Sequence, residues 1–82
     1  MVHDYQTVSA QVIALIAEQL HKKPEEIGHD ATLESLGADS LDRVELIMKL
    51  EEAFHIEVSA DDAEQLTSVR QAIEYIVSKL NK

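Results

Sequence analysis

The sequence predicts an all-α fold: a small antiparallel four-helix bundle of three longer helices and one short helix, with a long first loop. The chain has 82 residues, 45% of them apolar, which suits a single domain over 1–82 with a modest core. The only helix breakers are Pro24, Gly28 and Gly37, so no glycine or proline follows residue 37. Apolar residues recur at helical spacing. Together these observations favour helices over strands.

The first helix is predicted from about Tyr5 to Leu20. Lys22 and Lys23 follow it and suit the negative end of its dipole, and Pro24 stops its propagation. Its apolar residues at helical spacing are Val8, Val12, Leu15, Ile16 and Leu20.

A long connection over residues 24–38 comes next. Ile27, Leu33 and Leu36 are isolated apolar residues that we expect to anchor this loop to the bundle. An anchored loop of this length often has a function, although many such loops only span the distance between helix ends.

The second helix is predicted to open at Asp39 and to continue to Phe54. Asp39 supplies a carboxylate at the N-cap position and Asp42 a second one three residues on, which is a variant of the capping box. Ser40 then occupies the first position of the helix.

Two further helices are predicted after the second. Residues 59–62 form another capping-box variant, which starts a short helix ending near Leu66, and Thr67 is expected to cap the last helix. The last helix has apolar residues that fit amphipathic spacing throughout, namely Val69, Ala72, Ile73, Ile76, Val77 and Leu80.

The charge distribution argues against one class of partner and favours another. The formal net charge is −9, and residues 39–64 alone contain nine acidic and two basic residues. Nucleic acid is disfavoured, because binding its phosphates needs clustered lysine and arginine. Basic protein surfaces are favoured instead, while a solvated face that keeps the protein soluble is the simpler alternative.

Several chemistries and locations are disfavoured by what the sequence lacks. The absence of cysteine excludes disulfides, cysteine–zinc sites and a thiol nucleophile. Apolar runs are too short for a transmembrane helix. Residues 1–4 show no basic region leading into an apolar stretch, so no secretory signal is visible. We therefore expect a cytoplasmic monomer.

The second helix has two apolar faces when it is wound at about 100° per residue. Its predicted core face comprises Leu46, Ile47, Leu50, Ala53 and Phe54. A second stripe, here called the docking strip, comprises Leu41, Val44 and Met48 with Glu45, Glu51 and Glu52 beside them. An apolar centre with an acidic rim suits a protein partner, although Leu41 and Val44 could instead cover neighbouring helices or the loop.

Arg43 falls near the core side of the second helix. We expect its aliphatic stem to lie on apolar surface and its charged head to stay in water.

Ser40 is the candidate modification site. A group attached to its hydroxyl would lie over the start of the second helix, where free backbone N–H groups and the helix dipole favour a phosphate. Most serines near helix starts only cap the helix or face solvent, so this position by itself leaves the function open.

Three alternatives compete for the same residues. A serine nucleophile needs a base that is itself oriented by a third group; the histidines are scattered, although His29 on the loop could approach Ser40. The acidic clusters at 39–45 and 61–64 do not match the calcium-loop pattern, so no dedicated metal site is predicted. An acidic interaction module, in which Ser40 only caps, is the third alternative.

One run of residues is more specific than these patterns. Residues 36–42 read Leu-Gly-Ala-Asp-Ser-Leu-Asp, residues 44–46 read Val-Glu-Leu, and residues 50–52 read Leu-Glu-Glu. This run resembles the signature of acyl carrier proteins, and the similarity extends over nearly the whole chain. The Gly-Ala-Asp-Ser stretch at 37–40 is similar to the fatty-acid-synthesis type, whereas peptidyl carriers typically show Gly-Gly-His-Ser.

The resemblance implies a four-helix bundle in which a phosphopantetheinyl transferase attaches 4′-phosphopantetheine from coenzyme A to Ser40. The thiol of this arm carries acyl groups as thioesters, so a carrier needs no cysteine. Asp39 and Leu41 would belong to the motif that the transferase reads. Basic enzymes of fatty-acid, related lipid or polyketide synthesis would dock on Asp42, Val44, Glu45, Met48, Glu51 and Glu52. Candidates for sheltering the acyl chain, which core packing would also explain, are Ile47, Leu50, Phe54, Ile56, Leu66 and Ile73.

Four positions depart from the family pattern. Ser35 stands where an acid is common, Arg43 and Lys49 add positive charge to the second helix, and Ser59 replaces a frequent proline. The first loop is also one residue shorter than in the commonest bacterial carriers. The choice between the housekeeping carrier and a dedicated pathway is left open. Because the chain starts at Met1 without linker tails, we expect a free-standing protein.

Overall fold

The computed structural model describes residues 4–81, and these confirm the predicted all-α fold. The helices are α1 (Tyr5–Leu20), α2 (Ser40–Phe54), α3 (Ala60–Gln65) and α4 (Val69–Leu80), with a single 3-10 turn at Pro24–Glu26. The predictions that concern residues 1–3 and 82 lie outside the described part of the chain. Within that part, every helix is too short or too polar to cross a membrane.

The helix starts are set by side chains that accept hydrogen bonds from the first turn. Asp4, Asp39 and Ser59 cap α1, α2 and α3. The predicted cap of α4, Thr67, is wrong: the cap is Ser68, whose Oγ accepts from the Gln71 N–H at 3.2 Å. The Gln71 side chain in turn accepts from the Ser68 N–H, which completes a capping box one residue later than expected.

The core lies where α1 packs against α2 and α4. Three predicted core residues of α2, Leu46, Leu50 and Phe54, are buried, and Ile47 is half-buried. The prediction for Ala53 is wrong, since Ala53 is exposed. The buried residues of α2 recur every four positions, which leaves Ala53 at the rim of this face, where it lines a shallow groove. The remaining large buried side chains of the core include Val8, Val12, Ile16, Val69, Ile73 and Ile76.

The long loop is held against the start of α4. Its predicted anchors Ile27 and Leu33 are buried and Leu36 is half-buried. The Leu33 N–H donates to the Thr67 carbonyl at 2.9 Å, and the Val69 N–H donates to the loop at 3.0 Å. The loop therefore runs from the end of α1, across the start of α4, to the start of α2.

Candidate functional site

Ser40 is exposed at the first residue of α2, as predicted. Asp39 is the N-cap, and its carboxylate accepts from the Asp42 N–H at 2.8 Å. The Asp42 carboxylate accepts from the Asp39 N–H at 3.3 Å, so both halves of the predicted capping box form. Because Asp39 performs the capping, the Ser40 hydroxyl is not needed for it and faces solvent.

The loop before Ser40 is ordered by its own hydrogen bonds. The Ser35 N–H donates to Thr32 Oγ1 at 2.9 Å, and the Ser35 hydroxyl donates to the Thr32 carbonyl at 2.8 Å. The Ala38 N–H donates to the Leu33 carbonyl at 3.0 Å. Gly37 has φ +90°, a conformation that favours glycine. Ser35 therefore stabilises the turn that leads into α2.

Two clefts open beside Ser40. The first, here called the loop cleft, has a volume of about 440 Å³. The second, here called the α3 cleft, has a volume of about 190 Å³ and lies between α2 and α3. Ser40 and Arg43 line both clefts. The other residues of the loop cleft are Thr32, Leu33, Glu34, Ala38, Asp39 and Thr67. The other residues of the α3 cleft are Val44, Ile47, Ala63 and Glu64.

Arg43 is bound to α3 rather than wholly hydrated. Its Nη2 donates to the Ala63 carbonyl at 3.1 Å. Its Nε atom is buried and has no hydrogen-bond partner among the described residues. The expectation that the charged head stays in water is therefore wrong in part, because α3 lies close enough for its backbone to accept from the guanidinium.

The apolar part of the docking strip is exposed. Leu41, Val44 and Met48 are 64%, 55% and 56% exposed. The alternative in which Leu41 and Val44 cover neighbouring elements is therefore wrong. These side chains give α2 an exposed apolar stripe, and its use for docking stays a prediction.

The acidic residues of the docking strip differ in exposure and in the hydrogen bonds that they accept. Glu52 is exposed, whereas Glu45 accepts from the Gln19 side chain at 2.7 Å. Glu51 is half-buried and accepts from the Val58 N–H at 2.8 Å. Glu51 thus stabilises the segment between α2 and α3, a role that the sequence analysis missed because nothing in the local pattern pairs these two residues.

Gln19 of α1 is a second residue that the sequence analysis missed. Its side-chain amide donates to Glu45 at 2.7 Å and to Asp42 at 3.3 Å, so it joins α1 to the acidic face of α2. Close by, Lys49 of α2 forms an ion pair with Glu18 of α1 at 3.5 Å. The spacing within α2 gave no signal for these contacts, since their partners lie on another helix.

The predicted acyl-chain residues fall into two groups. Ile47 lines the α3 cleft, and Ile56 is half-buried. The other four are buried with the core and are Leu50, Phe54, Leu66 and Ile73. Ile47 thus shares a cleft with Ser40, and the sheltering role of all six stays a prediction.

The competing chemistries receive no support from the geometry of the described residues. The ring of His29 stacks on Tyr5, with the ring centres 6.3 Å apart, and its Nε2 lies 2.9 Å from the buried Ser9 hydroxyl. His29 is therefore engaged with α1 rather than with Ser40. No group of three or more histidine or acidic side chains within residues 4–81 is arranged to hold a metal ion.

A comparison with protein families identifies one match. A family model described as a phosphopantetheine attachment site matches residues 10–76, which is most of the chain. The matched region contains Ser40, the loop before it and nearly all of the four helices. The match therefore includes both clefts and the docking strip.

Proposed function

The chain belongs to the phosphopantetheine-attachment family, and from this premise we propose that it is an acyl carrier protein with its arm on Ser40. Members of the family carry covalently attached 4′-phosphopantetheine. The observation that carries the proposal is the exposure of Ser40 directly behind the Asp39 cap. Other serines of the matched region, such as Ser59 and Ser68, are themselves helix caps.

The surroundings of Ser40 fit a phosphate ester. The exposed hydroxyl supplies the oxygen that becomes part of the phosphodiester, while the capping box keeps the helix start in place without it. The clefts on either side give an attached arm room to leave the protein surface. Arg43 adds a cation that lines both clefts and has no ion-pair partner within residues 4–81. When bound, the arm supplies the thiol that carries acyl groups, which the cysteine-free chain itself lacks.

The proposed activity is presentation of acyl groups rather than catalysis. An exposed serine without an oriented base is a poor nucleophile, and the nearest candidate base by sequence, His29, contacts Ser9. The protein would therefore depend on partner enzymes, namely a phosphopantetheinyl transferase and the enzymes that elongate or transfer the acyl group.

We propose enzymes of fatty-acid synthesis, or of related lipid and polyketide synthesis, as these partners. Two features support this assignment: the Gly-Ala-Asp-Ser stretch at 37–40, and the exposed apolar centre of the docking strip beside acidic residues. A basic patch on the partner would be steered by the acidic side chains and would bury Val44 and Met48 on contact.

The proposal is tested by intact-mass measurement after incubation with coenzyme A and a broad-specificity phosphopantetheinyl transferase. We expect the wild type to gain the mass of one phosphopantetheine and Ser40→Ala to gain none. Ser78→Ala is the matched control, since Ser78 is also an exposed helical serine, and it should be modified like the wild type.

The fold must be checked by circular dichroism before a negative result is interpreted. Ser40→Ala should remain folded, because Asp39 rather than Ser40 caps α2. Failure of the folded, unmodified wild type to gain mass would overturn the carrier proposal and favour the acidic interaction module. Mass gain by Ser40→Ala would overturn the site.

A further inference from the structure

Arg43 is a cation that lacks an anionic partner within residues 4–81. The ion pairs there are Lys49–Glu18 and Arg70–Asp30. Arg43 also lies in the first turn of α2, where the helix dipole disfavours a positive charge. Its buried Nε–H donor is unpaired, whereas buried donors in native proteins almost always have a hydrogen-bond partner. An added anionic group would supply the hydrogen-bond acceptor and the negative charge that Arg43 lacks.

The nearby carboxylates do not take this role. Asp39 and Asp42 are hydrogen-bonded to one another's backbone in the capping box. Glu34 shares the loop cleft with Arg43, and Glu64 shares the α3 cleft, but neither lies within ion-pair distance of the guanidinium. A new anion beside Ser40 would thus meet one unpaired cation.

The position of Arg43 relative to Ser40 fits a phosphodiester. The two residues are three apart on α2, and side chains at this spacing are neighbours on one helix face. Both line the same two clefts. A phosphodiester on the Ser40 oxygen has a permanent negative charge and two free oxygens, which match the paired donors of a guanidinium.

We infer that Arg43 binds the phosphodiester formed on Ser40 and so holds the first atoms of the arm between the loop cleft and the α3 cleft. This inference rests on the proposed function. Since the same guanidinium donates to the Ala63 carbonyl, the phosphodiester also becomes connected to α3. Attachment of the arm therefore stabilises the contact between α2 and α3, and Arg43 acts as a positioning residue.

The test compares thermal midpoints before and after attachment, with intact mass confirming the modification of each sample. We expect the wild type to gain roughly 4 °C on attachment at low ionic strength, where one charge-assisted contact is added to a small domain. Arg43→Gln should lose this gain, and Arg43→Lys should retain part of it because the charge remains without the planar fork. Lys49→Gln removes a cation from the same helix farther from Ser40 and should keep the full gain.

A second measurement uses the wild type alone. The NMR signal of the Arg43 Nε–H group should shift on attachment, and the phosphorus signal of the arm should differ between the wild type and Arg43→Gln. A merely structural role for Arg43 would lower the midpoints of both forms equally and leave the gain unchanged.

The outcomes separate the two proposals. If no mass is gained, the proposed function fails. If mass is gained, an equal gain in midpoint for Arg43→Gln and the wild type overturns the inference. Should Arg43→Gln fail to fold or to be modified, an unchanged Arg43 Nε–H signal in the modified wild type overturns it, and a shifted signal supports it.

Discussion

At the scale of single residues, the Tyr75 hydroxyl joins two helices. It donates to the Asp62 carboxylate at 2.8 Å and so connects α4 to α3. The Lys79 amine lies 5.5 Å from the centre of the Tyr75 ring. Burial raises the pKa of Tyr75 to about 12, and the hydrogen bond to Asp62 acts in the same direction. The neutral, donating form is therefore the one that the folded state stabilises.

We predict that Tyr75→Phe lowers the free energy of unfolding at neutral pH by about 1 kcal/mol, the usual effect of one side-chain hydrogen bond. The raised pKa makes this contribution fully present below about pH 10, the ordinary tyrosine value, and lost as the pH rises through about 12. Urea denaturation across this range should show the free energy of unfolding of the wild type falling towards that of Tyr75→Phe.

Absorbance titration of the tyrosinate gives an independent check. The ionisation step near pH 12 should disappear in Tyr75→Phe and persist in Tyr5→Phe, which removes the other tyrosine of the chain. A constant stability difference between wild type and Tyr75→Phe from pH 8 to pH 12 would contradict the prediction.

Residue roles within the site were predictable to different degrees. The sequence predicts the positions of Asp39 and Ser40 because a cap and the residue after it are adjacent, whereas the attachment role of Ser40 rests on the resemblance of residues 36–42 to acyl carrier proteins. The Glu51 contact with Val58 and the Arg43 contact with Ala63 were not predictable, because the bend after α2 and the position of α3 bring these groups together. The exposure of Leu41 was not predictable either, because it depends on how close the neighbouring helices and the loop come to α2.

At the scale of helices, local chemistry accounts for most boundaries. The predicted bounds of α1 and α2 agree with the structure since capping residues and apolar spacing mark them. The start of α4 was placed one residue early because Thr67 and Ser68 are both good caps. In the structure the Ser68 Oγ accepts from the Gln71 N–H, whereas the Thr67 hydroxyl donates to the Gln71 side chain. The C-caps of α1 and α2 were not predicted: they are His21 and His55, in left-handed conformations that usually favour glycine.

The capping box of α2 gives a prediction at this scale. Asp39→Ala should lower the free energy of unfolding by about 1 kcal/mol, because the Asp42 N–H loses its acceptor. Asp39→Asn should keep most of the stability, since asparagine caps as well as aspartate, while removing the charge beside Ser40. Urea denaturation measures both variants.

Together these variants distinguish two roles of Asp39. If Asp39→Asn is stable but is loaded more slowly by the transferase, the charge itself takes part in recognition. If both substitutions leave the free energy of unfolding unchanged, the capping box does not stabilise the start of α2. Ser40→Ala is the control for stability, since Ser40 follows the cap.

At the scale of the whole molecule, acidic charge is concentrated in the segment of the chain that contains Ser40. Residues 39–64, which include α2 and α3, contain nine of the 16 acidic residues of the chain. Such a field attracts a basic partner from a distance and acts mainly on the association rate. The sequence already predicted this distribution, but not which carboxylates are free. In the structure Glu45 and Glu52 are both exposed, whereas Glu51 is half-buried and supports the backbone of Val58.

We predict that Glu45→Gln and Glu52→Gln each lower the apparent second-order rate of transferase loading by roughly two- to fivefold at low ionic strength, because each removes one exposed steering charge from α2. The maximal loading rate at saturating carrier should change less. Glu51→Gln should behave differently: it should also lower the thermal midpoint, since its carboxylate accepts from the Val58 N–H. Loading reactions that are quenched at set times, at several carrier concentrations, measure these rates.

The control is Glu25→Gln, which removes the same charge from the exposed 3-10 turn after α1 and leaves the acidic side of α2 intact. If steering is local to the docking strip, this variant should load like the wild type, whereas an effect of net charge alone would slow all variants equally. Raising the salt concentration to about 1 M shortens the screening length to about 3 Å. The differences among the variants should then vanish. Differences that persist at this salt concentration would mean that Glu45 and Glu52 make direct contacts in the complex rather than steering the partner towards Ser40.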